Sequence, residues 1–183
     1  IQRQKQLLAS ALGYKTNTEN TDYGISKANF KKPLEMPSNN YAICVQNASW
    51  ITKQWPIESW KELLRILEKR DINLLFPSGN LEEFDRANEI CSVSEKALAL
   101  EVLPLNEIAF LIDNSEFTLC SDTGLAHLSA VVGTPSLTLY GPTDTRLIGT
   151  YGENQNHFVS PDSDISKISV EDVLTKLENL NFL

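Results

Sequence analysis

The sequence contains no long apolar run, and its first residues do not form an export signal. No apolar stretch approaches the roughly 18 to 20 residues that a membrane-spanning helix needs. Residues 1–6 are not followed by the continuous apolar segment of a signal peptide. Because the first residue is Ile1 rather than Met, we expect this sequence to begin inside a longer chain.

Histidine and cysteine are scarce, and neither occurs in a metal-binding pattern. The two histidines lack HExxH spacing, which argues against a zinc site, and we expect no metal ion. Cys44, Cys91 and Cys120 form no CxxC pair, and two of them lie inside apolar runs. We therefore expect buried free thiols and a cytoplasmic protein, because thiols stay reduced in that compartment.

The charge balance is acidic, which excludes one large class of partner. The formal net charge is -8, whereas nucleic-acid binding rests on many contacts between basic side chains and phosphates. We therefore expect no nucleic-acid partner. A single cationic pocket for a small anion remains compatible with this charge. The Walker A pattern of phosphate-binding loops is absent.

Apolar runs alternate with helical patterns through most of the chain. The runs that fit buried strands are 41–45, 72–76, 97–102, 117–120 and 136–140. Between them, apolar residues recur at helical spacing over about 57–67, 81–90, 105–112 and 125–131. This alternation predicts an α/β fold, a Rossmann-like doubly wound parallel sheet. Ligands of such sheets bind beyond the carboxyl ends of the strands.

The two ends of the sequence differ from this central pattern. Residues 1–12 predict a helix that ends at Gly13, and residues 170–179 predict a final helix. Between the first helix and the first strand, the polar segment 15–40 predicts a linker, with a short strand around Tyr23–Ile25. We accordingly predict a helix and linker over 1–40, a ligand-binding domain over 41–165 and a C-terminal helix over 166–183.

The strongest functional signal follows the fourth predicted strand. Asp122, Thr123 and Gly124 lead into a helix, where free backbone amides and the helix dipole attract an anion. Gly124 would allow a ligand to approach the backbone, and His127 would lie on the same helix face as Thr123. Alternatively, Asp122 only caps the helix, Gly124 eases the turn and His127 packs against the protein.

A second polar loop, residues 46–56, follows the first predicted strand. Lys53 could pair with a diphosphate there, and the Ser49 hydroxyl could donate a hydrogen bond. The alternative is that Lys53 is an ordinary surface lysine. We expect Trp55 to pack in the core rather than to stack on a ligand.

Two more loops end at the same predicted edge of the sheet. After the second strand, Glu82 or Glu83 could bond a ribose hydroxyl, as acidic residues near this point often do in doubly wound folds. Either could instead be a first-turn acid that favours the helix dipole. The loop 140–144 after the fifth strand is either a plain turn or a ligand-facing loop.

Three of these segments together resemble the ADP-heptose:lipopolysaccharide heptosyltransferases, which form glycosyltransferase family 9. The matching motifs are Lys-Gln-Trp-Pro at 53–56, Ser-Asp-Thr-Gly-Leu-Ala-His-Leu at 121–128 and Leu-Tyr-Gly-Pro-Thr-Asp at 139–144, and the match extends over 147–152. The motifs look more like heptosyltransferase I than heptosyltransferase II. The resemblance implies that the chain is the C-terminal, donor-binding domain of a two-domain GT-B glycosyltransferase.

The resemblance also assigns roles to individual residues. It implies that Ser49 bonds the donor diphosphate and that Lys53 stabilises its charge as ADP leaves. Asp122, Thr123 and Gly124 would hold the phosphates and the heptose, with His127 nearby. By the same resemblance, Glu83 would bind the ribose and Leu103 would lie near the adenine. The loop before Lys53 is one residue shorter than is usual in the family, which weakens the assignment of Ser49.

The implied reaction is an inverting transfer of L-glycero-D-manno-heptose from ADP-heptose to Kdo of lipid A–Kdo, without a cofactor. The family's catalytic base and acceptor site lie in an N-terminal half that these residues do not include, so we expect donor binding without sugar transfer. Contact with the cytoplasmic face of the inner membrane is also implied. The alternatives are heptosyltransferase II, another family member, or a non-catalytic nucleotide-binding or flavodoxin-like domain.

Overall fold

We describe the protein from a computed structural model, which covers residues 2–16, 22–34, 36 and 40–183. Six strands form one parallel sheet: β1 (Tyr41–Val45), β2 (Asn73–Phe76), β3 (Ala97–Ala99), β4 (Thr118–Ser121), β5 (Ser136–Tyr140) and β6 (Gln155–Val159). The helices are α1 (Gln2–Leu12), α2 (Ile57–Leu67), α3 (Leu81–Cys91), α4 (Leu105–Asp113), α5 (Gly124–Val132), α6 (Thr145–Ile148) and α7 (Val170–Asn179).

The strands lie in the order β3-β2-β1-β4-β5-β6, which is the order of a doubly wound Rossmann sheet. The predicted fold class is confirmed. The chain moves outward from β1 to β3, returns through α4 to pair β4 with β1, and then moves outward on the other side. The direction of winding therefore reverses between β1 and β4, and a crevice opens beyond the carboxyl ends of these two strands.

Helices cover both faces of the sheet because successive strand residues point to opposite sides. In β1, Ala42 and Cys44 pack in the cluster formed with α2, α3 and α7, whereas Ile43 and Val45 pack in the cluster formed with α4 and α5. Both faces of the central strands are therefore apolar, which explains why these strands appear as continuous apolar runs in the sequence.

Several local predictions are confirmed. Gly13 and Gly133, with φ of 71° and 86°, follow α1 and α5 in the left-handed conformation expected of a helix cap. Trp55 is fully buried, and its indole Nε1 donates a hydrogen bond to the carbonyl of Ile168. All three cysteines are buried and free.

Other local predictions are wrong. Residues 22–26 contain no strand: Gly24 has a φ of 66°, and the Tyr23 hydroxyl is tied to the carbonyl of Tyr151 at 2.5 Å. The third strand ends at Ala99 rather than at residue 102, because its partner β2 ends at Phe76 and is followed by a proline. The short helix α6 and the edge strand β6 were not predicted.

The proposed division into 1–40, 41–165 and 166–183 stays a prediction. The side chains of Val173 and Leu177 in α7 belong to the same buried cluster as those of α2 and α3.

Candidate nucleotide-binding site

A cavity of about 310 Å³ lies at the carboxyl edge of the sheet, beside the point where the winding reverses. The loops after β1, β2 and β4 contribute to its lining, together with the residues that lead into α4. Its apolar wall includes Leu103, Leu105 and Ile108, and its polar part includes Asn47 and Glu83. This combination of an apolar wall and a few polar groups is typical of small-molecule sites.

Most of the predicted site residues gather at this cavity. Ser49, Glu83, Leu103, Thr123 and Gly124 all line it, although they come from four different connections of the fold. Ser49 is exposed at the rim, and Leu103 is half-buried. These placements agree with the predicted convergence at one edge of the sheet, and the role of each residue stays a prediction.

The start of α5 presents backbone amides to the cavity. Thr123 is the N-cap residue, and its Oγ1 accepts a hydrogen bond from the amide of Leu125 at 3.2 Å. The Thr123 hydroxyl proton therefore remains available for a ligand acceptor. The suggestion that Asp122 caps this helix is wrong, since the next residue has the extended backbone of a cap and makes the capping bond.

Gly124 is not required by the fold itself. Its φ is not positive, and a Cβ placed on it would meet no protein atom within 4 Å. Alanine is also the better helix former at a helical position. A glycine that the protein does not need, at the wall of a cavity and at the first position of a helix, fits a ligand that approaches the backbone closely.

Lys53 lies at the end of the short turn Ile51–Lys53, next to the start of α5. Its ammonium nitrogen is 2.7 Å from Oδ2 of Asp122 and 5.3 Å from the centroid of the Trp50 ring. The side chain of Lys53 is 18% exposed and that of Asp122 is 7% exposed, so the pair is largely shielded from water. An ammonium group has three donors, and the bond to Asp122 leaves others for an anion.

The Asp122 carboxylate has a second partner from another loop. Thr143, which follows β5, donates its hydroxyl to Oδ2 of Asp122 at 2.5 Å. A buried carboxylate that pairs with a cation and accepts a hydrogen bond from a hydroxyl is compensated for its burial. It is also negatively charged, so it would hold Lys53 in place rather than contact phosphates itself.

Two hydrogen bonds fix the carboxylate of Glu83 in the polar part of the cavity. Its Oε2 accepts from Nδ2 of Asn47 at 2.6 Å and from the amide of Gly79 at 2.7 Å. Glu83 also lies in the first turn of α3, as the alternative interpretation expected, whereas its bond to a ribose hydroxyl stays a prediction. No described residue donates to its other oxygen, Oε1, which leaves that atom to accept from a ligand hydroxyl.

His127 does not line this cavity. It lies half-buried on α5, and its charge contributes to lowering the pKa of His157. The larger cause of the lowered pKa of His157 is burial, which disfavours the charged ring, while a hydrogen bond with the Thr150 backbone acts in the opposite direction.

The sequence reasoning assigned no role to Asn47, Ser78 or Thr143, which the structure places at the site. Asn47 Oδ1 and Ser78 Oγ are buried without a hydrogen-bond partner in the described part of the chain, and both residues line the cavity. All three residues are in loops that the sequence analysis predicts at the carboxyl edge of the sheet. The available signal was a polar residue directly after an apolar strand, but their partners could not be read from the sequence.

A larger cavity of about 830 Å³ lies at the other end of the sheet, near the residues that precede the strands. Several of its polar side chains already bind the protein. Gln155 donates to the Thr134 carbonyl at 2.8 Å, and Arg70 pairs with Glu178 at 2.7 Å. A parallel sheet binds its ligand at the carboxyl edge, so the smaller cavity is the better candidate.

The described residues provide neither a cluster of metal ligands nor a helix that could span a membrane. Residues 2–16, 22–34, 36 and 40–183 contain no group of three or more His, Cys, Asp or Glu side chains that could hold a metal ion. Within the same ranges, every helix is too short or too polar to cross a lipid bilayer.

The family model for glycosyltransferase family 9 (heptosyltransferase) matches residues 1–177. The chain belongs to glycosyltransferase family 9. Among curated relatives in this family, lipopolysaccharide heptosyltransferase 1 of Escherichia coli strain K12 is 34% identical over 183 residues, which is 98% of this chain and 56% of that protein. Lipopolysaccharide heptosyltransferase 1 of Salmonella typhimurium is 32% identical, over 97% of this chain and 56% of that protein.

Solved structures agree with this membership. E. coli heptosyltransferase WaaC with ADP superimposes with a TM-score of 0.86 at 31% identity, over 96% of this chain and 54% of that chain. The same enzyme with ADP-2-deoxy-2-fluoro heptose gives a TM-score of 0.82 at 29% identity, over 95% of this chain and 53% of that chain. E. coli heptosyltransferase II, at 17% identity and a TM-score of 0.70 over 97% of this chain and 51% of that chain, shares the fold.

The predicted family is confirmed, including the greater likeness to heptosyltransferase I. The chain spans about half the length of these relatives.

Proposed function

We propose that this domain binds the donor ADP-heptose for an inverting heptosyltransferase. The reaction would transfer L-glycero-D-manno-heptose to Kdo of lipid A–Kdo, in the synthesis of the lipopolysaccharide inner core. The observation that carries the proposal is the convergence of Lys53, the amides at the start of α5 and a nucleotide-sized cavity at one edge of the sheet.

The relatives support the choice of ligand. Two of the similar structures are E. coli heptosyltransferase WaaC with ADP and with ADP-2-deoxy-2-fluoro heptose, and the curated relatives at 32–34% identity are lipopolysaccharide heptosyltransferases 1. Heptosyltransferase II is less favoured, because its solved structure is only 17% identical to this chain.

The proposal gives the nucleotide a definite orientation in the cavity. Adenine would lie against Leu103 and its apolar neighbours, and the ribose would bond the free oxygen of Glu83. The diphosphate would then reach Gly124, whose missing side chain leaves space beside the first-turn amides. Ser49 would donate to a phosphate from the rim.

Charge stabilisation is the chemistry that these residues can supply. As the bond between heptose and ADP breaks, negative charge grows on the departing diphosphate. The Lys53 ammonium and the amides at the start of α5 are already in position to meet that charge, so little reorganisation is needed. In an inverting transfer, the acceptor hydroxyl attacks the anomeric carbon from the side opposite ADP.

We place this reaction in the cytoplasm, with the acceptor presented at the inner membrane. Three buried, unpaired cysteines suit a reducing compartment. Acceptor binding and membrane contact are assigned to no residue of this domain.

Calorimetric titration with ADP, ADP-heptose and UDP-glucose tests the donor assignment. We expect measurable affinity for both adenine nucleotides and much weaker affinity for UDP-glucose. Equal affinity for all three ligands would contradict the proposal and favour a non-specific nucleotide-binding domain.

The Lys53→Ala variant tests the placement of the diphosphate. We expect ADP binding to weaken by about 1–3 kcal/mol, the range for a charge-assisted hydrogen bond. Lys61→Ala is the matched control, because Lys61 also forms ion pairs, but with Glu58 and Glu89 rather than with a residue next to the cavity-lining Thr123. Equal ADP affinity in the two variants would remove Lys53 from the site.

A further inference from the structure

Thr143, Asp122 and Lys53 form a connected group across three loops of the sheet edge. Oδ2 of Asp122 forms an ion pair with the Lys53 ammonium at 2.7 Å and accepts a hydrogen bond from the Thr143 hydroxyl at 2.5 Å. The loop after β5 is pressed against the lysine turn, since a Cβ on Gly141 would lie only 3.3 Å from the carbonyl oxygen of Thr52. Thr143 is therefore held close to the turn that carries Lys53.

This group has little to contribute to stability. Removing a carboxylate and an ammonium from water is costly, and their attraction often only balances that cost. Lysine also has a long flexible side chain whose freedom is lost in a fixed geometry. A buried arrangement of this kind at the edge of a ligand cavity is better explained by the position that it gives to the ammonium group.

The placement of Lys53 indicates which part of a nucleotide it meets. Lys53 does not line the cavity itself, but it is bonded to Asp122, the residue before the helix cap Thr123. A nucleotide with its base at Leu103 and its phosphates at Gly124 would reach Lys53 last. In this arrangement, the ammonium would face the phosphate farthest from the base.

We propose that Thr143 is a positioning residue that fixes the Asp122 carboxylate and thereby directs Lys53 at the terminal phosphate of a nucleoside diphosphate. This proposal rests on the proposed function, because it presumes a nucleotide in the cavity. Thr143 itself does not line the cavity. Its substitution should therefore affect a diphosphate and leave a monophosphate unaffected.

The test compares ADP and AMP affinities by calorimetry in four proteins: wild type, Thr143→Val, Thr143→Ser and Thr145→Val. Valine keeps the shape of threonine without the hydroxyl, and serine restores the hydroxyl. Thr145 is the control, since no described residue bonds its hydroxyl. We expect Thr143→Val to lower ADP affinity three- to tenfold with AMP affinity unchanged, whereas Thr143→Ser and Thr145→Val retain the wild-type ratio.

An unchanged ratio of ADP to AMP affinity in Thr143→Val would overturn the proposal. Equal losses for ADP and AMP would show a general structural effect.

A ligand-free measurement separates this proposal from the donor assignment. The ¹⁵N-labelled ammonium of Lys53, identified by its absence in Lys53→Arg, should exchange with water faster in Thr143→Val than in wild type. Faster exchange without any ADP binding would refute the donor assignment and the terminal-phosphate role while supporting the positioning of Lys53. Unchanged exchange would overturn the proposal.

Discussion

Gly124→Ala should stabilise the protein while weakening nucleotide binding. Gly124 is the first residue of α5, its φ is not positive, and an added Cβ would meet no protein atom within 4 Å. Alanine can therefore adopt the native conformation without strain, and it restricts the unfolded chain more than glycine does. The expected gain in the free energy of unfolding is about 0.4–1 kcal/mol. For a chain of this size, that gain corresponds to a rise in Tm of about 1–4 °C.

The same methyl group should obstruct the ligand. It would project into the open space beside the first-turn amides, where the proposed function places the diphosphate. A phosphate displaced from these amides loses hydrogen bonds and the favourable dipole. We expect ADP affinity to fall by roughly tenfold, which corresponds to about 1.4 kcal/mol.

Gly133→Ala is the matched control, because the same substitution should there have the opposite effect on stability. Gly133 caps the other end of α5 with a φ of 86°, where a Cβ costs about 1–2 kcal/mol, and it does not line the cavity. Urea unfolding and ADP titration of both variants give the comparison. The reasoning is refuted if Gly124→Ala is less stable than wild type, or if it binds ADP as tightly as wild type does.

Two further predictions concern Glu83 and His157. Glu83→Gln should lower ADP affinity about tenfold because it removes a charge-assisted bond to the ribose, and the loss should be smaller for 2′-deoxy-ADP. Glu82→Gln should leave the affinities for both nucleotides unchanged, because Glu82 is outside the cavity lining. Burial lowers the pKa of His157 below 6.5, so the unfolded chain binds this proton more readily than the folded protein does. The neutral ring therefore favours the folded state above pH 6.5, and this contribution to the free energy of unfolding is lost as the pH falls below 6.5 through the lowered folded-state pKa. Urea midpoints at pH 5.5 and 7.5 should therefore differ less in His157→Gln than in wild type, and an identical difference in the two proteins would contradict the assignment.

The central strands and helices were predictable because their burial is uniform. Residues 41–45 are buried on both faces of the sheet, and such strands appear as unbroken apolar runs. β6 gave no such signal: Gln155–Val159 is an edge strand of half-buried and exposed residues, three of which are polar or charged. Its parallel pairing with β5 depends on the return of the chain through α6, which is only four residues long.

The site was predictable as a location and less so as a set of contacts. Parallel strands bring the loops that follow them to one edge, so Lys53, Glu83 and Gly124 could be expected there from the strand pattern alone. The bond from Thr143 to Asp122 could not be expected, because it depends on which strands are neighbours and on how far each loop extends. Sequence spacing contains neither quantity.

The strand order connects the fold to the proposed chemistry. Because β1 and β4 are neighbours from which the chain winds in opposite directions, their following loops diverge and leave a crevice between them. One loop carries Lys53 and the other carries Asp122 and Gly124, so the cation and the helix amides face the same space. In any order that separated β1 from β4, these groups would be at least one strand spacing, about 4.8 Å, farther apart, and the 2.7 Å ion pair could not form without a change in the loops. The proposed anion site is thus a consequence of the sheet topology, and the residues of the two loops would determine which anion it binds.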